Sequence, residues 1–213
     1  MSDYNFQYYD RPANRDICSL VENGKKVLDV GCATGKIAEN LVKEKGCEVI
    51  GIELDEGMAH EAKRFCKEVI VADLETLKSI DYPEGYFDVL LFADILEHTR
   101  NPEEILNNLK KYLSSQGYIL ISIPNTANWE IRLKLLLGNF DYAGGTILDC
   151  GHLRFFTLKS IKKLVEDCGF SITGVTTRNA FLKPLGILWK TLFAWGFVIK
   201  AEKVISYAKK TKC

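Results

Sequence analysis

The sequence predicts an α/β fold built on a doubly wound, parallel sheet, and three features carry that prediction. Short runs rich in β-branched residues, at 27–30, 49–53, 69–73, 87–93 and 118–123, alternate with segments of helical spacing. The first run passes directly into the turn Gly31-Cys32-Ala33-Thr34-Gly35 and from there into a helix, the arrangement that brings a helix N-terminus to the carboxyl end of a strand. The length, 213 residues, suits a single domain, 1–213.

The elements follow in order. Gly31 lets the chain turn sharply after 27–30, and Gly35 lets a ligand or a neighbouring strand approach the backbone. Ile37, Ala38, Leu41 and Val42 share the inward face of the next helix, which Gly46 stops. Asp55 suits the cap of a second helix that turns Met58, Ala59, Ala62 and Cys66 inward. Asn101-Pro102-Glu103-Glu104 combines a cap, a first-turn proline and an acid at the third position, and Ile105, Leu106, Leu109 and Leu113 continue on one stripe.

After Pro124 the alternation breaks. Residues 125–156 read as a lid or acceptor-binding insertion, in which Trp129, Leu133, Leu136, Leu137 and Phe140 fall on one helical face and Glu130 can pair with Lys134. Thr157 caps a helix carrying Ile161, Leu164, Val165 and Cys168, closed by Gly169. Runs 171–177 and 203–210 are expected as the last two strands. Between them, the very apolar segment 181–199 is interrupted by Lys183, Pro184, Gly186, Lys190 and Gly196, which argues against a membrane span. A helical lid, a dimer contact and an anchor at a membrane surface remain open for it, and oligomeric state is left undetermined.

Composition narrows the function. The 28 basic residues balance the 28 acidic ones, so net charge gives no reason to expect a nucleic-acid partner. The seven cysteines lack C-x-x-C pairing, so reduced thiols in a cytoplasmic protein are expected, with no metal centre. The polar and aromatic N-terminus does not read as a signal peptide.

Spacing narrows the ligand. The turn reads G-x-x-x-G, matching neither the dinucleotide pattern G-x-G-x-x-G nor the phosphate loop G-x-x-x-x-G-K-[ST]. Asp29, two residues before the first glycine, would repel a pyrophosphate and suits a ligand with a cationic or hydrogen-bond-donating group.

The run VLDVGCATG resembles the first motif, hhD/ExGxGxG, of class I S-adenosylmethionine-dependent methyltransferases, with Ala33 at the middle glycine. The resemblance covers most of the chain. It implies a Rossmann-like, doubly wound, mostly parallel seven-stranded sheet with a C-terminal antiparallel hairpin and a helical insertion after the fifth strand. It also implies S-adenosyl-L-methionine as cofactor. Asp29, Gly31, Cys32, Thr34 and Gly35 would surround its amino-acid end. Glu53, with Leu54 beside it, would accept from the ribose hydroxyls; Asp55 is the alternative, better used as a helix cap. Asp73 would accept from the adenine amine and Leu74 pack on the ring, the alternative for Asp73 being a loop-starting aspartate. Ala93, Asp94 and Ile95 stand where cofactor and acceptor would meet, while Asp88 opens its strand without touching ligand.

The same resemblance sets the acceptor side. Gly151-His152-Leu153-Arg154-Phe155-Phe156-Thr157 is similar to an H-x-R-x-[FY]-[ST] segment of enzymes that modify sugars, lipid head groups and quinone precursors. It implies His152 as a base and Arg154 as an anchor for an anionic acceptor group, with a structural brace as the alternative for both. His98, in the Leu96-Glu97-His98 turn, is a second candidate for catalysis, with a ring bonded to neighbouring backbone as the alternative. The Trp129 helix would either close over the acceptor or fill the core, packing being the commoner use of such an aromatic and leucine face. Tyr9 belongs to an N-terminal segment, 1–25, that would cap the site. The expected activity is methyl transfer to a small-molecule acceptor, with oxygen favoured. A non-catalytic partner protein that binds the cofactor is the runner-up, and an NAD-dependent oxidoreductase is disfavoured by the missing G-x-G-x-x-G.

Overall fold

The computed structural model describes residues 14–178 and 189–204. Seven strands form one sheet in the order β3-β2-β1-β4-β5-β7-β6: β1 (Lys26–Val30), β2 (Glu48–Glu53), β3 (Glu68–Val71), β4 (Phe87–Ala93), β5 (Leu113–Pro124), β6 (Phe170–Arg178) and β7 (Gly196–Lys203). The pairs β1–β2, β1–β4, β2–β3 and β4–β5 are parallel, whereas β7 runs antiparallel to both β5 and β6. The strand order reverses between β1 and β4, so their carboxyl ends bound the crevice where doubly wound sheets take ligands.

Among the described residues the α-helices are α1 (Arg15–Ser19), α2 (Lys36–Lys45), α3 (Glu56–Ala62), α4 (Pro102–Lys110), α5 (Trp129–Leu136), α6 (Leu158–Asp167) and α7 (Lys190–Phe193). Two apolar layers flank the sheet. One, under α4 and α6, contains Leu28, Ile50, Leu90, Ile105, Ile161 and Phe197; the other, under α1 to α3, contains Ile17, Val27, Leu41, Val49, Ala59 and Leu120. Each large apolar side chain so buried contributes about 1.5–3 kcal/mol.

Much of the expected local chemistry is present. Gly46 ends α2 in the left-handed region, the Asp55 side chain accepts from Met58 N at 2.8 Å, and Thr157 with Ser160 forms a reciprocal cap on α6. Glu130 and Lys134 pair at 3.1 Å, and Asp88 opens β4 while accepting from Lys26 N at 2.9 Å. Among the described residues six cysteines are free thiols, with only Cys150 exposed.

Four expectations are corrected. Among the described residues the last strand is Gly196–Lys203, within and just after the apolar segment, so Phe197, Val198 and Ile199 are core residues; of the strand expected at 203–210, residues 205–210 lie outside those described. β7 lies between two strands and is covered on both faces, so it reads as a continuous apolar run without alternation. Leu113 starts β5 and is not on α4, and the Asn101 side chain makes no cap bond. The face of α5 predicted as packing is the exposed one: Leu133, Leu136 and Leu137 are open to solvent, while Ile131 packs with Ile147 and Leu148. Apolar residues occur around most of α5, so spacing alone could not choose the buried side. Residues 1–13, including Tyr9, and 181–188 lie outside the described residues. Among those described, no helix is long and apolar enough to cross a membrane.

Candidate functional site

The turn after β1 is held mainly by the end of β2. Gly31 N and Cys32 N donate to Ile52 O at 2.8 and 3.0 Å, Gly35 N to Cys32 O at 2.9 Å, and Ala33 N to the Glu53 carboxylate at 2.8 Å. Gly31, Ala33 and Gly35 all have positive φ. A Cβ on Gly31 would come within 2.6 Å of Ile95, and one on Gly35 within 2.9 Å of the Ala62 backbone. On its Cβ side Gly35 permits a close approach of helix α3. Cys32 points its buried thiol at Gly51, so its side chain is core.

With those N–H groups engaged, the loop presents acceptors in place of donors. Asp29 is 1 % exposed, and neither of its carboxylate oxygens has a partner among the described residues; nor has the buried Thr34 Oγ1. Burial, and then the nearby Glu53 charge, push the Asp29 carboxyl up to about 7. A buried carboxylate without a donor is costly, and a cationic group restores its charged form. The site thus rejects a phosphate and suits an ammonium or hydroxyl donor, and the residues fit the amino-acid end of the expected cofactor.

Glu53 has a second task that the sequence did not reveal. Besides Ala33 N, it accepts from Leu54 N at 2.8 Å and Asp55 N at 3.0 Å, which ties the β2 tip to the β1 turn. A carboxylate offers about four acceptor positions, so one remains for a hydroxyl without breaking these bonds. Leu54 itself is exposed. Asp73, also exposed, accepts from Glu75 N at 2.9 Å and starts a turn, as in its alternative reading; Leu74 is half-buried against the core. Asp29, Glu53 and Asp73 stand at or beyond the tips of adjacent parallel strands along one sheet edge, with Ala93 ending the fourth.

Beyond Ala93, Asp94 adopts a left-handed backbone and pairs with Arg178 at 2.6 Å. Arg178 escaped sequence reading because only the pairing of β6 with β7 brings its end of the strand to this edge. Ile95 packs on Gly31. Glu97, also missed, is 1 % exposed with Oε2 partnerless among the described residues; burial, then the Asp94 charge, raise its carboxyl well above the usual range. Its position in the Leu96-Glu97-His98 turn was the available signal.

The fold brings His98 and His152, 54 positions apart, into edge contact with ring centroids at 4.8 Å. His98 Nδ1 lies 3.1 Å from Gly151 O, and His152 Nδ1 3.0 Å from Ile147 O. A carbonyl only accepts, so each Nδ1 carries its hydrogen and each neutral ring keeps its lone pair on Nε2. Burial, and then the neighbouring His98, lower the His152 pKa and favour that neutral form. Burial works to raise the Asp149 carboxyl beside them, but the N–H bonds of Gly151 and Gly145 hold it below the usual range.

Two acceptor-side residues have other surroundings. Arg154 is exposed and donates its Nε to Arg100 O at 3.1 Å and Nη2 to the same carbonyl, the bracing role. Trp129, at the start of α5, is 38 % exposed. The insertion is fastened by Leu153 N and Arg154 N, which donate to Glu97 O at 2.8 and 3.0 Å.

Comparison with known proteins places this geometry. A family model described as a methyltransferase domain matches residues 6–175. The ubiquinone biosynthesis O-methyltransferase of Psychrobacter arcticus is 30% identical over 166 residues, covering 70% of this chain and 60% of the relative. The Acinetobacter baylyi protein of the same name is 30% identical over 108 residues, 48% of this chain and 44% of the relative. The chain thus spans about half the length of the curated relatives it matches. Among solved structures, a SAM-dependent methyltransferase from Archaeoglobus fulgidus superposes with a TM-score of 0.66 at 21% identity, covering 89% of this chain and 90% of that one.

Proposed function

The chain belongs to the methyltransferase-domain family, and from that premise we propose that it is an enzyme transferring a methyl group from S-adenosylmethionine to an oxygen of a small, quinone-precursor-like acceptor. The carrying observation is the buried Asp29 carboxylate, partnerless among the described residues, beneath a turn whose Gly31, Cys32, Ala33 and Gly35 N–H groups are already bonded. Asp29 and Thr34 would hold the ammonium end, Glu53 the ribose, and Asp73 with Leu74 the base. When bound, this cofactor supplies a methyl group made electrophilic by its sulfonium.

The chain's own work is to hold an acceptor oxygen at the β1–β4 crevice, keep water out and dispose of its proton. The His98–His152 pair is assigned the proton, its neutral Nε2 atoms being the groups at this edge suited to the task. The names of the curated relatives support oxygen as the acceptor atom and a quinone-like ring as its class. The free cysteines support a cytoplasmic setting. The reading treats the chain as one domain, with 125–156 as the acceptor insertion and 1–25 as a cap.

Thermal melting with S-adenosylmethionine, S-adenosylhomocysteine and NAD, followed by methyl transfer to a panel of catechols and hydroquinones, tests it. A raised midpoint with the first two ligands and O-methylated product are expected. A shift with NAD alone would overturn the cofactor assignment. Binding without transfer to any acceptor would leave a cofactor-binding partner protein in place of an enzyme.

A further inference from the structure

The acceptor side holds a group of side chains whose chemistry goes beyond proton handling. One ligand-capable atom from each of Glu97, His98 and His152 lies within 4.8 Å of the other two. We propose that these three residues form a binding site for a divalent transition-metal ion of the zinc class, a site the cysteine spacing gave no reason to expect.

Two independent observations point to a cation there. The first is Glu97 Oε2, fully buried and without a partner among the described residues. An oxygen in that position lacks a donor, and a metal ion supplies the missing positive charge. The second is the fixed tautomer of both rings. His98 and His152 each donate Nδ1–H to a backbone carbonyl, of Gly151 and Ile147 respectively. Such an outer bond is what orients an imidazole so that Nε2 can bind metal, and it raises the basicity of that nitrogen. Two imidazoles and one carboxylate are the donor set of a catalytic zinc site, which leaves a coordination position open. Ligand atoms around a tetrahedral zinc ion stand about 3.4 Å apart, so small side-chain rotations would draw the three groups together.

Other charged groups fit around the ion. Asp149 accepts from the Gly145 and Gly151 N–H groups and holds the loop carrying His152. Asp94 is already paired with Arg178. The open position lies at the sheet edge where the acceptor is placed, and the ion's part in methyl transfer rests on that reading, whereas its binding does not. An acceptor hydroxyl bound to the ion would become more acidic: its O–H bond breaks, the electron pair stays on the oxygen and the proton leaves to water. With an ion bound, His98 and His152 act as ligands, and they assist the proton's departure through the metal.

Titration of the full chain with Co2+, followed by its visible absorption, and with Zn2+ by calorimetry tests the site. One ion per chain is expected, and His98→Gln and His152→Gln should each weaken binding by about tenfold to a hundredfold. Glu97→Gln should do the same; if that variant does not fold, the two histidine variants decide. Cys150→Ser, which alters an exposed thiol nearby, should leave binding intact. No saturable binding, binding that survives both histidine substitutions, or binding abolished by Cys150→Ser would each overturn the proposal. Ion binding without any methyl transfer would refute the proposed activity and leave the metal site standing.

Discussion

The turn at 31–35 and the insertion at 125–156 border the same edge of the sheet, yet different physics holds them. The turn is largely a backbone construction: four of its five N–H groups are bonded, three to backbone carbonyls and one to the Glu53 carboxylate, Gly31, Ala33 and Gly35 have positive φ, and its glycines abut Ile95 and Ala62. The insertion is a side-chain construction, with the small Ile131–Ile147–Leu148 cluster inside and exposed leucines outside. The first should tolerate almost no change in shape, and the second should tolerate many changes except at a few polar groups. A fold that fixes its cofactor end and leaves its acceptor end adaptable separates what a family shares from what distinguishes its members.

The sharpest way to break that contrast is at His152. His152→Gln should lower turnover by about 10²–10⁴-fold, the usual range for losing a group that manages a proton, while affinity for S-adenosylmethionine stays the same. Because burial and His98 depress the His152 pKa, the wild-type rate should persist on the acid side to below the ordinary imidazole range. Steady-state rates across pH, with calorimetric cofactor binding, check both points. Equal loss of turnover and cofactor affinity would mean that the two regions are one unit.

Gly35→Ala attacks the other side of the comparison. A methyl group there has to displace the Ala62 backbone and sit at φ +78. Overpacking and left-handed strain together predict a loss of about 2–4 kcal/mol in stability, measured by denaturant unfolding. A neutral outcome would show that the turn is less rigid than its hydrogen bonds imply.

These contrasts also explain what the sequence could and could not show. Asp29, Gly31, Thr34 and Glu53 were legible because a strand followed by a tight turn fixes where side chains go over a few residues. The same reasoning placed Asp55 and Thr157 as caps. Arg178, Glu97 and the meeting of His98 with His152 depend on which strands pair and how a long insertion folds back, information that no local spacing carries. Strand β7 was not anticipated for a related reason: Phe197, Val198 and Ile199 form an unbroken apolar run because both faces of β7 are covered, and such a run resembles a buried helix or an anchor. The exposed face of α5 was misread because apolar residues occur around most of that helix.

Asp29→Asn separates binding from stability. Cofactor affinity should fall by on the order of 1–3 kcal/mol, as for a lost hydrogen bond to a charged group. The ligand-free protein should respond in the opposite sense. The folded-state carboxyl is raised from 3.8 to about 7, so its contribution to stability is full below about 4 and is lost as pH rises through about 7. Removing the ionisable group should flatten that part of the pH–stability curve and raise the melting temperature at pH values above about 7. A saturating cofactor should flatten the wild-type curve in the same way, because its ammonium group would keep Asp29 charged. A curve that the substitution leaves unchanged would mean that Asp29 is solvated in the free protein.

The smallest effect is expected on the outer face of α5. Leu136 is 82 % exposed, so Leu136→Ser should change stability by less than about 0.5 kcal/mol. Ile131→Ala, five residues earlier, should cost about 2 kcal/mol or more, because it empties the small cluster with Ile147 and Leu148. Paired denaturation curves read the difference directly. If Leu136→Ser destabilises as much as Ile131→Ala, the outer face of α5 is covered in solution, by a second copy or by another segment. In that case the insertion is anchored as firmly as the cofactor turn, and the adaptability assigned to the acceptor end is lost.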